Sequence, residues 1–285
     1  MKRVILIWIA AFVLTAAFLV WQKISGPTYE KRFDTEVAGT RVKGELLRTN
    51  SITADMPVTI HVPDSAVTGT VVWRRYPTED PWARLPMVRD AEVLRAAIPR
   101  QGMAGKVEYH VELAKNGQTV KVPAKEAAVA RFKGDVPNTI LILHVFAIVT
   151  AFLFSTGAGF TALTNGPSLK QLSRIALGFL MVGGLILGPI VQKYAFNAFW
   201  TGWPLGEDLT DNKLAVGALL WLITVIRTSK ADPENPRAGK WWAVAAMLVI
   251  FVIFSIPHSI HGSTLDYESG EHIQAMANSV FRIFG

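Results

Sequence analysis

Five apolar segments, separated by polar stretches, set the first limit on how this chain can fold. They lie near residues 4–21, 139–157, 171–190, 214–226 and 241–257. An α-helix rises about 1.5 Å per residue, so each segment is long enough, or nearly so, for a helix that crosses roughly 30 Å of hydrocarbon. The pattern therefore predicts a membrane protein with five transmembrane helices.

Basic residues between these segments predict the orientation of the chain. They fall in alternate connections, and they are Lys2, Arg3, Lys170, Arg174, Arg227, Lys230, Arg237 and Lys240. Because such residues mark the cytoplasmic side, we expect the N-terminus inside, and residues 25–137, the loop 191–213 and the C-terminal tail outside. The simplest setting is the bacterial inner (plasma) membrane. The first segment lacks a convincing small-residue cleavage site, which favours an uncleaved anchor.

Charge and cysteine content exclude several functions. The formal net charge is +7, but the topology explains much of this excess, so nucleic acid is not an expected partner. The chain has no cysteine, which excludes disulfides, thiolate metal sites, iron–sulfur clusters and covalent haem attachment.

The residues from about 35 to 125 change to short alternating strands separated by turn residues. The stretch VEYHVELAKNGQTVKV predicts a hairpin, because an Asn-Gly pair supplies the positive φ angles of a tight turn. This region loosely resembles an immunoglobulin-like module. Trp82 with the nearby arginines could form a docking face, although a solvated, charged sheet edge is the alternative. We interpret His61 and His110 as ordinary strand residues.

These patterns together predict the fold class and the domains. The expected fold is a membrane α-helical bundle of five transmembrane helices with an inserted all-β immunoglobulin-like periplasmic sandwich. The domains are an N-terminal anchor (1–24), the β-sandwich (25–137), a four-helix transmembrane module (138–262) and an external tail (263–285), which can form an amphipathic helix after Gly270.

Histidines in the helical region are the candidate ligands. His144 lies about two turns into the second apolar segment, and His258 and His261 lie at the end of the fifth. Ionisable groups inside a bilayer are costly and are usually functional, and two histidines from different helices can hold a haem iron. The hypothesis is a bis-histidine b-type haem held by His144 and His261, with His258 as the alternative ligand. Histidines that only form hydrogen bonds between helices are the competing interpretation.

The loop between the third and fourth segments, FWTGWPLGEDLTDNK, supports the haem hypothesis. Trp200 and Trp203 suit a membrane interface, but the carboxylates Glu207, Asp208 and Asp211 have no such explanation. The order of His144, this loop and FSIPHSIHGS resembles that of the haem-handling membrane proteins of cytochrome c biogenesis, over residues 139–263.

That resemblance implies a role for the loop. Trp200 and Trp203 would cover the haem face, and the loop would position the propionate edge. Because carboxylates repel propionates, Lys193, Lys213 or Arg282 would have to supply compensating positive charge.

Two functions remain open, neither with independent catalytic activity. The first is an integral membrane haem b protein for electron transfer or haem handling at the periplasmic face, in contact with the lipid bilayer and with membrane-complex subunits or a periplasmic redox protein. The alternative is a non-catalytic accessory subunit of a larger respiratory or transport complex. A weaker possibility is a zinc or copper site that uses His258, His261, Asp266 or Glu268.

Overall fold

The structure is a computed structural model that describes residues 2–166, 168–206, 208–231, 235, 237–256, 264–270 and 272–273. These residues form two compact units. The helical unit contains the described residues of 1–26 and 136–262, and the strand-rich unit contains residues 27–135 with the described residues of 263–273.

The helical unit begins with a long helix that precedes the strands in the chain. Its elements are α1 (Lys2–Ser25), α2 (Asn138–Leu163), α3 (Leu169–Leu180), a π-helix (Met181–Leu187), α4 (Gly188–Phe196), α5 (Leu209–Ser229) and α6 (Lys240–Ser255). The segment from α3 through the π-helix to α4 is continuous, 28 residues long. This segment, α1, α2 and α5 are the four described helices long and apolar enough to cross a membrane.

The prediction of a fifth transmembrane helix is wrong, because α6 is too short. α6 contains 16 residues, which is about 24 Å at the usual rise and less than the roughly 30 Å of a hydrocarbon core. Ile256 follows it with an extended ψ of 116°. The next residue in the sequence is Pro257, and a residue that precedes proline rarely adopts helical backbone angles. The proline therefore explains why the helix ends before the apolar segment does.

The strand-rich unit contains one large sheet and three smaller ones. The strands are β1 (Lys31–Val37), β2 (Thr40–Leu46), β3 (Thr49–Ser51), β4 (Met56–His61), β5 (Thr68–Tyr76), β6 (Ala83–Pro86), β7 (Val88–Asp90), β8 (Val93–Ile98), β9 (Lys106–Lys115), β10 (Gln118–Val122), β11 (Ala128–Lys133), β12 (Thr264–Leu265) and β13 (His272–Ile273). The six-stranded sheet has the order β3-β11-β9-β5-β6, with β10 also paired to β9. The smaller sheets are β4-β8-β7, β1-β2 and β12-β13.

The predicted fold class, a five-helix membrane bundle with an inserted immunoglobulin-like sandwich, is therefore wrong. α6 is short, and β3 and β11 pair in parallel, whereas an immunoglobulin-like sandwich is built from antiparallel sheets. The strand-rich unit also takes in residues from the C-terminal part of the chain. His272 and Ile273 form β13, and the rest of the predicted amphipathic tail helix lies outside the described residues.

The Asn116–Gly117 turn confirms the predicted hairpin. Asn116 and Gly117 have φ angles of +49° and +78°, and they connect β9 to β10, whose register pairs Lys115 with Gln118. The alternating side chains of β9 then face the core of this unit, where Tyr109 is fully buried and donates its hydroxyl to the Leu47 carbonyl at 2.7 Å.

α1 packs as an integral part of the helical unit. Thr15 of α1 donates to Thr156 of α2 in a buried hydrogen bond of 3.3 Å. Gln22 donates its side-chain amide to the Phe254 carbonyl near the end of α6 at 3.0 Å. Gly157 allows this close approach, because a Cβ there would lie 3.2 Å from the Trp8 ring.

Candidate functional site

The imidazole of His144 lies against an irregular turn of the neighbouring helix. Its Nδ1 is 2.8 Å from the carbonyl oxygen of Gly183, in the π-helix. Since a carbonyl can only accept, Nδ1 carries the proton in this bond and the neutral ring has its lone pair on Nε2. The same carbonyl accepts the backbone N–H of Gly188.

Two features of the sequence explain the shape of this turn. Pro189 has no backbone N–H, so the regular α-helical bond to the Leu185 carbonyl cannot form, and the π-helix precedes this position. Gly183 is needed for the close approach of α2, because a Cβ there would lie 2.9 Å from the Cβ of Ala147. The π-helix and the glycine together bring the Gly183 carbonyl to His144.

This arrangement leaves His144 suited to hold a metal. The side chain is half-buried, and its bond to Gly183 is its one hydrogen bond with the described part of the chain. Histidines that bind metals commonly donate the other ring nitrogen to a carbonyl, which fixes the tautomer and the ring orientation. The contact to Gly183 is therefore chemically compatible with an axial haem ligand that binds through Nε2.

The two predicted tryptophans lie in the loop between α4 and α5. The indole N–H of Trp200 donates to the carbonyl of Trp203 at 3.1 Å. The Trp203 side chain is 77% exposed, and its backbone N–H donates to Asn212 Oδ1 at 2.7 Å. The loop thus presents one indole outward while its backbone is tied to α5.

Asp208 and Asp211, the described acidic residues of this loop, form hydrogen bonds within the protein. Asp208 caps α5, because its side chain accepts the backbone N–H of Thr210 at 2.7 Å. Asp211 is buried, and its Oδ2 accepts the N–H groups of Thr201 and Gly202 at 2.6 and 3.1 Å. The same oxygen is 3.3 Å from the side-chain amide of Gln192. These two carboxylates stabilise the loop, and the role of the loop at a propionate edge stays a prediction.

The lysines proposed to compensate these carboxylates form other contacts. Lys213 is buried and donates to the carbonyl of Ile256 at 2.8 Å. Lys193 lies 3.4 Å from the carbonyl oxygen of Asn197. Lys213 therefore holds the residue that follows α6, and His258 and His261 come next in the sequence.

Several predicted site residues lie outside the described residues. They are His258, His261, Glu207 and Arg282. Asp266, a member of the weaker metal hypothesis, accepts the backbone N–H of Glu268 at 2.9 Å, and this bond lowers the pKa of the Asp266 carboxyl. The described part of the chain contains no group of three or more His, Cys, Asp or Glu that could hold a metal ion.

His61 and His110 lie in strands, as predicted. His61 is exposed and lies 3.1 Å from Glu92. His110 packs edge-on against Trp82, and burial lowers the pKa of its imidazole. The Arg74 guanidinium lies 4.6 Å from the Trp82 ring centre, and Trp82 is 40% exposed, so the docking face stays a prediction.

The sequence did not predict the contacts of His144 with the π-helix, nor those that hold the loop between α4 and α5. Gln192 and Thr201 had no role assigned, although they hold Asp211. A local signal did exist for Asp208, since an aspartate directly before an apolar helical pattern indicates an N-cap. No family model matches the chain, and no curated protein matches it.

Proposed function

We propose that this chain is an integral membrane protein that binds a b-type haem, with His144 as an axial ligand, and that passes electrons or haem at the outer face of a bacterial inner membrane. The observation that carries the proposal is the hydrogen bond from His144 Nδ1 to the Gly183 carbonyl. It orients a neutral imidazole whose Nε2 can bind iron.

His261, or His258 as the alternative, would supply the second ligand. Haem ligated by two histidines provides a one-electron redox centre without an open iron position. Lys213 supports this part of the proposal, because its bond to the Ile256 carbonyl fixes the chain five residues before His261. Trp203, exposed at the loop, would contribute an aromatic surface toward a redox partner or another membrane subunit.

The test is haem content in the purified full-length protein. We expect a b-type pyridine haemochrome signal in the wild type and its loss, or a changed spectrum, in His144→Ala. His61→Ala is the matched control, because His61 is exposed in β4 and bonded to Glu92, and it should keep the wild-type spectrum. An unaltered haem spectrum in folded His144→Ala, His258→Ala and His261→Ala proteins would refute the ligand assignment.

A second function is favoured by the loop between α4 and α5. Its described carboxylates are satisfied by hydrogen bonds within the protein, so the loop needs no cofactor to be stable. On this alternative the chain is a non-catalytic accessory subunit of a respiratory or transport complex. Purified wild-type protein that contains no haem and that co-purifies with other membrane subunits in fixed ratio would support it.

A further inference from the structure

Basic side chains from separate helices meet at the end of the helical unit where α2 ends and α3 begins. The guanidinium of Arg3, at the start of α1, donates to the carbonyl of Thr164. The ammonium of Lys240, at the start of α6, donates to Asn165 Oδ1 at 2.8 Å. Cations from α1 and α6 therefore flank the same turn.

The end of α5 brings further positive charge to this place. Lys170 of α3 lies 3.5 Å from the carbonyl oxygen of Ser229, which joins α3 to the end of α5. Gly239, directly before α6, packs so closely that a Cβ there would lie 2.6 Å from the backbone nitrogen of Thr228. Arg227 is thereby held near the first turn of α6, and its guanidinium lies 5.9 Å from the centre of the Trp242 ring.

This surface carries much more positive than negative charge. We define the basic end by its eight described cations: Lys2, Arg3, Lys170, Arg174, Arg227, Lys230, Arg237 and Lys240. The described residues of these turns and helix ends include no Asp or Glu. The connection between α5 and α6 also carries Asp232 and Glu234, which lie outside the described residues and are outnumbered by the cations. Each cation that bonds a backbone or amide oxygen retains further N–H groups for a phosphate.

Exposed aromatic and apolar side chains adjoin these cations. Trp241 is 68% exposed, and the Lys240 ammonium lies 5.0 Å from its ring centre. Val4, next to Arg3, and Leu163, next to Thr164, are also exposed. Indole rings prefer the headgroup level of a bilayer, and the apolar side chains offer a surface for acyl chains. A lipid can use both the charged and the apolar parts of this surface, whereas a free phosphate can use only the charged part.

We propose that the basic end binds the headgroup of an anionic phospholipid, with Arg3, Lys170, Arg227 and Lys240 around its phosphate and Trp241 beside its glycerol region. Clusters of Lys and Arg at helix ends attract anionic lipids through additive charge interactions. This inference is independent of haem binding, because His144 and the loop between α4 and α5 play no part in it.

The test is native mass spectrometry of the full chain in detergent, with dioleoylphosphatidylglycerol and dioleoylphosphatidylcholine as competing lipids. We expect the wild type to prefer phosphatidylglycerol. The triple variant Lys170→Gln/Arg227→Gln/Lys240→Gln should lose roughly 100-fold of that preference, given the usual contribution of three cations. The matched control, Lys43→Gln/Lys125→Gln/Lys133→Gln, removes the same charge from exposed positions of the strand-rich unit and should behave as the wild type.

Three outcomes would overturn the proposal. The wild type could bind both lipids equally, which would exclude headgroup selection. The two triple variants could lose the preference to the same extent, which would show that net charge alone is responsible. Inorganic phosphate could displace phosphatidylglycerol at equal concentration, which would indicate a site for free anions. Circular dichroism of both variants confirms that each retains its helical content before lipid binding is compared.

Discussion

The Oδ2 atom of Asp211 accepts the backbone N–H of Thr201 at 2.6 Å, which joins the first turn of α5 to the loop that follows α4. Both residues are buried. The same carboxylate oxygen also accepts the N–H of Gly202, so it holds two consecutive residues of the loop. We call these two hydrogen bonds to Asp211 the loop clamp, because they hold the loop to the start of α5.

Replacing Asp211 should loosen this loop. Asp211→Ala leaves the N–H groups of Thr201 and Gly202 without their acceptor, and unsatisfied buried donors cost about 1–3 kcal/mol each. We expect the free energy of unfolding to fall by roughly 3 kcal/mol, measured by denaturation of the full chain in detergent. Asp211→Asn keeps an acceptor oxygen and should lose less.

Asp208 provides the comparison for that experiment. Asn is as good an N-cap as Asp, so Asp208→Asn should leave the free energy of unfolding nearly unchanged. A loss in Asp208→Asn equal to that in Asp211→Ala would mean that net negative charge, and not the hydrogen bonds of Asp211, stabilises the loop.

Substitution of Gly202 provides a second test of the loop clamp. A Cβ at this position would lie 2.6 Å from the Cβ of Asp211, so Gly202→Ala must displace either the loop or the start of α5. We expect faster proteolysis within residues 199–206 of the full chain. Gly178→Ala is the control, because its added Cβ has no neighbour within 4 Å beyond its own stretch of helix and alanine is the better helix former. Equal cleavage rates in the two variants would contradict the prediction.

The features that the sequence predicted correctly are local ones. The hairpin at Asn116–Gly117 follows from two adjacent residues that tolerate positive φ. The end of α6 was also marked locally, by Pro257 at the end of the apolar segment, but the hydropathy of the preceding residues outweighed it in the prediction. A single residue that ends a helix is easily lost within a long hydropathy average.

The features that the sequence did not predict depend on residues far apart in the chain. β3 and β11 pair in parallel although about 80 residues separate Thr49 from its partner Arg131, and neither strand carries a signal for the other. Asp211 is likewise satisfied by Gln192, 19 residues away. His144 was predicted to be a ligand because an ionisable side chain inside a bilayer is energetically costly and usually functional. Its bond to Gly183 was not predicted, because no periodicity rule indicates the π-helix on which it depends.

The Asn116–Gly117 turn should be sensitive to a Cβ at Gly117. Its φ of +78° is unfavourable for an L-residue, while no atom beyond the adjacent residues lies within 4 Å of the added Cβ. Gly117→Ala therefore measures backbone strain alone, and we expect a loss of about 1 kcal/mol in the free energy of unfolding. Thermal denaturation followed by circular dichroism measures it. A variant as stable as the wild type would show that the turn adopts another conformation.

Lys106 should make the stability of the strand-rich unit depend on pH. It is buried, and this burial, with the nearby positive charge of Arg131, lowers the pKa of its ammonium from 10.5 to about 8. Below pH 8 both the folded and the unfolded chain hold the proton, so the cost of burying the charge is fully present. Between about pH 8 and 10.5 the unfolded chain binds a proton that the folded chain has released, so the free energy of unfolding rises with pH.

The size of this rise is up to about 3 kcal/mol, and Lys106→Met isolates it. Methionine is similar in length and does not titrate, although it loses the 2.7 Å bond that the Lys106 ammonium donates to Thr264. That loss is the same on both sides of the titration, so the wild type should gain stability relative to Lys106→Met as the pH increases from about 7.5 to 10. Denaturant titrations of both proteins in detergent measure the difference, and pairing them cancels other groups such as Tyr267, whose pKa burial raises to about 12. A difference that stays constant over this range would show that the ammonium remains charged in the folded protein.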